Sequence, residues 1–267
     1  MNYGKFILFG DSITQYSSQI LDGFSLQAAL QDKYIRKLDI INRGFSGYNS
    51  KHATLILPKL LDAELNGDRD NVKLMTIFFG TNDAFEDNND IQPVSLENYS
   101  RNINTLVELA LNNNIRPIVI GPTFHDSRLA KKGLTSMESV TREATNNERN
   151  YQYNSAARQV AEAHNVAFVD LWDIFRESQG WTKEQLFAAK EDNEHWEIGS
   201  SLEQLVHDGV HFTGKAYRLM FAGIMDAIEK HYPELLPNKM LMKLADWKVI
   251  DPSDLNTIFT TTSYSRE

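Results

Sequence analysis

The chain has 267 residues, 42% apolar and 24% charged, a globular composition long enough for one substantial core. Its formal net charge of −9 lacks the cationic balance of a nucleic-acid binder, and the absence of cysteine removes disulfides, thiol nucleophiles and thiolate metal sites. The amino terminus shows no charged lead followed by a long apolar stretch, and no window approaches about 18 apolar residues, so the expectation is a cytoplasmic chain with no membrane span.

Residues 6–9 (Phe-Ile-Leu-Phe) form an unbroken apolar run closing on Gly10, the pattern of a strand covered on both faces. A helical pattern over 23–38 follows, then a second strand at 38–41 that ends near Gly44. A helix over 52–65 leads to a strand at 72–79 ending at Gly80. Residues 96–112 place Ile103, Leu106, Val107 and Ala110 on one helical face. Strand 117–120 ends at Gly121, and strand 166–169 ends at Asp170, with a helical pattern over 141–164 between them. The last helix, 216–231, carries Leu219, Met220, Ile224, Ala227 and Ile228 as a stripe. This alternation predicts the α/β class: a three-layer α/β/α sandwich around a five-stranded parallel sheet. Polar segments at 125–150 and 176–207, the latter holding Trp181 and Trp196, read as insertions.

Chemistry-bearing residues cluster just after the strands, where the crevice of an open parallel sheet lies. Ser12 follows the first strand, and its hydroxyl needs a base to become a nucleophile; as a bare tripeptide, Gly10-Asp11-Ser12 reads first as a helix start. Asp208 and His211 are three residues apart, close enough for a carboxylate to orient an imidazole. Asn82, in Gly80-Thr81-Asn82-Asp83, offers a neutral amide donor to a developing oxyanion, and Gly44 a backbone N–H without an obstructing side chain. Asp83 fits a loop-pinning role. His207 and His211 are four apart but lack a third ligand at a familiar spacing, so no metal is expected.

Taken together, Gly10-Asp11-Ser12-Ile13-Thr14, Gly44, Gly80-Thr81-Asn82-Asp83 and Asp208-Gly209-Val210-His211, in that order, resemble the SGNH (GDSL-type) hydrolase family. The resemblance implies a flavodoxin-like fold, Ser12 as nucleophile, His211 as base and Asp208 as its orienting acid. It also implies oxyanion donors at the Ser12 N–H, the Gly44 N–H and the Asn82 side chain, with no cofactor. Residues 5–14, 39–48, 115–122 and 208–215, with Tyr232-Pro233, are similar to the fungal isoamyl acetate-hydrolysing esterases within that family. That similarity implies a small-molecule ester substrate, an acetate of a medium-chain alcohol, and leaves a homodimer open. Thr81 stands where relatives often carry alanine, which bears on substrate size. The expected division is a catalytic domain over 1–235 and a C-terminal extension over 236–267, whose Leu241, Leu244 and Trp247 would serve as a lid, a partner contact or a simple surface dock. A lysophospholipase, thioesterase or sugar deacetylase on the same scaffold, and a catalytically silent binding protein, are the alternatives. An α/β-hydrolase is disfavoured because no Gly-x-Ser-x-Gly elbow occurs.

Overall fold

Five apolar runs pair into one parallel sheet in the computed structural model, which describes residues 3–87, 91–126, 129, 142–143, 147–188, 198 and 202–261. The strands are β1 (Gly4–Gly10), β2 (Leu38–Gly44), β3 (Val72–Phe78), β4 (Arg116–Ile120) and β5 (Ala167–Val169). Their order across the sheet is β2-β1-β3-β4-β5. Chain direction across the sheet reverses beside β1, so the crevice at the switch point opens between β1 and β3.

The side-chain period of two divides β1 between two cores. Phe6 and Leu8 join Leu26, Leu30, Ile224 and Ile228 on one face of the sheet. Ile7 and Phe9 join Leu57, Leu61, Ile103, Leu106 and Ala157 on the other. The first face is covered by α2 (Leu26–Lys33), α6 (Leu171–Gln179) and α8 (Gly214–His231). The second is covered by α3 (Ser50–Leu65), α4 (Leu96–Asn112) and α5 (Asn147–Ala163). The expected three-layer sandwich is thus the observed one.

Local chemistry sets the element ends. Ser25 caps α2 through the N–H of Ala28, and the helix closes at Lys33, well short of the expected 38, because Arg36 takes a left-handed φ of 59° and turns the chain into β2. Asn49 and His52 form a reciprocal cap that starts α3 two residues early. The short α1 (Ser12–Tyr16) begins at Asp11, and α7 (Lys183–Ala188) lies inside the segment taken as an insertion. Most of the expected insertion at 125–150, and Trp196, lie outside the described residues.

The described part of the tail docks where the chain approaches β2. The Arg36 guanidinium donates to the carbonyls of Leu244 (2.8 Å) and Ala245 (2.6 Å), and the Lys243 N–H donates to the carbonyl of Arg36 (3.2 Å). Met242 and Ala245 are buried there, whereas Leu241 and Trp247 stay exposed. These contacts sit at the amino end of the sheet. Ser12 follows the carboxyl end of β1, about 20 Å away along a seven-residue strand. The described contacts of the tail with Arg36 therefore lie at the far end of the sheet from Ser12.

Candidate active site

A tight strand-to-helix turn presents Ser12. Asp11 caps α1 by accepting the Ile13 N–H at 2.9 Å, which leaves Ser12 as the first helical residue. Both readings of the tripeptide, helix start and hydroxyl presented to a base, describe the same turn, in which Ser12 is largely buried. It requires close backbone approach: a Cβ on Gly10 would lie 2.1 Å from Thr14 Oγ1, and one on Gly44 would lie 2.0 Å from the Gln15 nitrogen.

His211 arrives from the loop before α8. Val206 and Phe212 bridge across this loop, the His207 N–H donates to the His211 carbonyl at 3.0 Å, and Gly209 turns the chain at φ 93°. Asp208 Oδ1 accepts the N–H groups of Val210 (3.0 Å) and His211 (2.7 Å), and Oδ2 lies 2.6 Å from His211 Nδ1. Burial works against a charge on this carboxyl, yet the hydrogen bonds from the His211 ring and backbone outweigh it and hold Asp208 well below the usual carboxylate range. An ionised carboxylate only accepts, so the proton sits on Nδ1 and the Nε2 lone pair faces Ser12. The Nε2–Ser12 Oγ distance is 2.9 Å. Tyr16 packs edge-on against the imidazole at 5.0 Å, and the Tyr217 hydroxyl donates to the Ile13 carbonyl at 2.6 Å, tying α8 to the Ser12 segment.

The third group comes from β3. Asn82 is nearly buried and donates through Nδ2 to the Tyr48 carbonyl at 2.7 Å, which leaves the second Nδ2 hydrogen for another acceptor. Asp83 pins the same loop by accepting from the Ser50 N–H at 3.0 Å and from the Ser50 hydroxyl.

Gly44 needs correction. Its N–H is already donated to Asn42 Oδ1 at 2.9 Å, so it is not available to an oxyanion; the glycine is required for the approach of α1. Along the loop that follows, Phe45 N–H donates to Gly10, Ser46 N–H to Gln15 Oε1 and Tyr48 N–H to Phe45, while nothing among the described residues accepts the N–H of Gly47. Gly47, at φ 79°, is the candidate donor that sequence reasoning missed. Its signal was present in Ser46-Gly47-Tyr48-Asn49, a glycine three residues beyond the one chosen. The N–H of Ser12 opens α1 and has no intrahelical acceptor. Among the described residues no three His, Asp or Glu side chains gather as a metal ion would need.

Known proteins share this frame. The profile of the GDSL-like lipase/acylhydrolase family matches residues 8–219. The isoamyl acetate-hydrolyzing esterase of Saccharomyces cerevisiae is 36% identical over 93% of this chain and 95% of its own length. The human isoamyl acetate-hydrolyzing esterase 1 homolog is 32% identical over 87% and 86%. Among solved structures, a GDSL-like lipase from Bacteroides thetaiotaomicron superposes with a TM-score of 0.58 at 22% identity, covering 85% of this chain and 88% of that one.

Two acids and a second histidine surround the site. Burial pushes Asp11 up to about 7, helped by the charge of Asp83 and opposed by the Ile13 N–H and His211. Burial likewise pushes Asp83 up to about 7 against its bonds from Ser50. His125 is packed beside the Phe85 ring at 5.7 Å, and the next residue, Asp126, donates its N–H to the Gly209 carbonyl at 2.8 Å. Burial, and then the charge of His211, lower its pKa to about 4, so it stays neutral near neutral pH. The raised carboxyls predict a stability effect with a definite sign. Between about pH 4 and 7 the folded protein keeps protons that the unfolded chain gives up, so this contribution is full in acid and is lost as pH rises through 7. Asp11→Asn retains a capping oxygen but not the titration. Its melting temperature should therefore decline less than that of the parent protein across this range; parallel curves would show that Asp11 is ionised throughout.

Proposed function

The chain belongs to the GDSL-like lipase/acylhydrolase family and is a carboxylic ester hydrolase, and we propose that it cleaves acetate esters of medium-chain alcohols through an acyl-enzyme on Ser12. The observation that carries the proposal is the unbroken relay from Ser12 Oγ to His211 Nε2 at 2.9 Å and from His211 Nδ1 to Asp208 at 2.6 Å.

In the first half-reaction Nε2 takes the hydroxyl proton as Oγ attacks the ester carbonyl. Asp208, held ionised by its three hydrogen bonds, stabilises the imidazolium. The oxyanion rests on the N–H groups of Ser12 and Gly47 and on the free hydrogen of Asn82 Nδ2. The imidazolium then protonates the departing alcohol. Water, deprotonated by Nε2, attacks the acyl-enzyme, and Ser12 recovers its proton as acetate leaves. Neutral His125 puts no competing cation beside His211 during either step. The acetate and alcohol preference rests on the names of the yeast and human relatives.

The described tail exposes Leu241, Trp247, Val249, Leu255 and Phe259, a set of large apolar side chains that suits contact with a second copy of the chain. Ending the chain at Pro237 should then reduce the particle from dimer to monomer in light scattering; a mass change equal to the removed segment alone would discard the contact.

Ser12→Ala should lower kcat for p-nitrophenyl acetate by about 10⁴-fold or more, with its folding transition retained. Asn82→Ala should cost about 10²–10³-fold in kcat. Near-parental turnover by the serine variant would reject the relay. Across a series of acyl chain lengths, kcat/KM should be highest for acetate and fall with longer acyl groups; a maximum at long chains would reassign the substrate to a lysophospholipid or thioester.

A further inference from the structure

An amide side chain can stabilise an oxyanion only in one of its two orientations. Rotated by half a turn, Asn82 would aim Oδ1 at the developing charge and repel it. The position of its nitrogen is therefore a functional variable, and something must hold it. We propose that Gln92 is the positioning residue that fixes both Asn82 and the Gly47 loop in the donating state, an inference that rests on the oxyanion assignment above.

Gln92 Nε2 lies 3.3 Å from the Gly47 carbonyl and 3.4 Å from Asn82 Oδ1. A carbonyl oxygen can only accept, so the Gly47 carbonyl requires the nitrogen of Gln92, not its oxygen, at that point. With its nitrogen so placed, Gln92 presents a second N–H to Asn82 and requires Oδ1 there. The Tyr48 carbonyl makes the complementary demand from the other end, taking Asn82 Nδ2 at 2.7 Å. The Gly47 carbonyl thus fixes the Gln92 amide, and Gln92 and the Tyr48 carbonyl together fix that of Asn82. The same contact with Gln92 restrains Gly47, which has a left-handed φ of 79° and no side chain of its own to hold the turn.

Gln92 is itself held in place. Asn49, the cap of α3, donates through Nδ2 to the carbonyls of Ile91 (2.8 Å) and Gln92 (2.9 Å). Two residues later the Val94 N–H donates to the Asp83 carbonyl at 3.1 Å, and the Tyr153 hydroxyl donates to the Val94 carbonyl at 2.5 Å. The segment 91–94 is therefore bound to α3, to the Asn82-Asp83 turn and to α5. A side chain carried on a segment whose backbone is anchored to all three can hold the donor geometry without touching substrate.

The test uses Gln92→Met, which keeps length and volume but neither donates nor accepts strongly, and Gln92→Glu, which replaces the donor with an acceptor facing two oxygens. Both are compared with the parent protein in turnover of p-nitrophenyl acetate and in inhibition by a trifluoromethyl ketone, whose serine adduct carries the oxyanion. Gln92→Met should lower kcat about 10-fold with KM changed less than about 2-fold, and should weaken the ketone by a similar factor. Gln92→Glu should lose about another 10-fold, since its charge opposes the oxyanion. In an Asn82→Ala background Gln92→Met should cost about 3-fold or less, the remainder acting through Gly47. Parental kcat and ketone affinity in Gln92→Met, a change confined to KM, or full multiplicativity with Asn82→Ala would each overturn the proposal. Activity surviving in Ser12→Ala would instead remove the assignment beneath it, so the two failures are distinguishable. An unchanged melting temperature separates loss of donor alignment from loss of fold.

Discussion

Placement of Ser12 depends on how closely α1 can approach the ends of β1 and β2. Gly10 and Gly44 are register partners at those ends, and a Cβ on either would overlap α1 within about 2 Å. Removing both side chains lets the first helical turn lie directly on the strand termini. A third close approach works from the other side of the site: a Cβ on Gly214 would lie 2.0 Å from the Leu21 carbonyl oxygen. There the first N–H of α8 also donates to Asp22 at 3.0 Å. The loop carrying Asp208 and His211 ends at that point, so residues 199 apart reach hydrogen-bond distance through backbone contact rather than through long side chains. The geometry is consequently stiff, as proton transfer over a fixed short distance requires.

Electrostatics around the relay are graded by depth. Asp208, partly open to solvent, is kept ionised by donated hydrogen bonds, whereas the fully buried Asp11 and Asp83 are pushed towards neutrality. Below about pH 7, where those two carboxyls keep their protons, a single fixed negative charge sits behind the imidazole. Two further full charges beneath Ser12 would oppose the formation of an oxyanion above it, because buried charges interact strongly at short range. Burial of the acids and neutrality of His125 work in the same direction, confining the charge changes of the reaction to the pair that exchanges the proton.

Much of this was readable from residue order. The strands were legible because both faces of a parallel sheet are covered, which forces continuous apolar runs such as Phe6 to Phe9. Ser12 and Asn82 were legible because polar residues immediately after such runs fall at the crevice, and Asp208 and His211 because a carboxylate and an imidazole stand three residues apart just before the last helix. The choice between Gly44 and Gly47 was not: both follow β2, and only the side chain of Asn42, bonding two residues onward, shows which N–H is taken. Helix α6 went unread although its signals were present, with Asp170 as cap, Trp172 and Phe175 facing inward, and Gly180 as the left-handed stop. Its polar surroundings masked a short apolar face. The tail's destination could not be inferred, because the Arg36 contacts that hold it are made to backbone carbonyls, which carry no sequence signature.

The segment that leaves the sheet after β4 has its own physical demands. The chain leaving β4 runs through 121–126 without regular structure, so its backbone groups need partners from elsewhere. The inward face of α5 carries Asn147, Asn150 and Asn154, all buried at helical spacing, and Asn147 meets part of this need. Asn147 accepts the His125 N–H at 2.9 Å, and Asn154, packed against the bare α-carbon of Gly121, donates to Asp170 at 3.0 Å. Because Asp126 in turn donates to Gly209, the same segment supports the turn that carries Asp208 and His211. The relay geometry therefore leans on one irregular stretch of backbone. A change of packing at Phe124 or His125 would be transmitted to the turn of Asp208 and His211 through Asp126 and Gly209, whereas the Asn82 turn, held by Tyr48 and Ser50, is anchored independently.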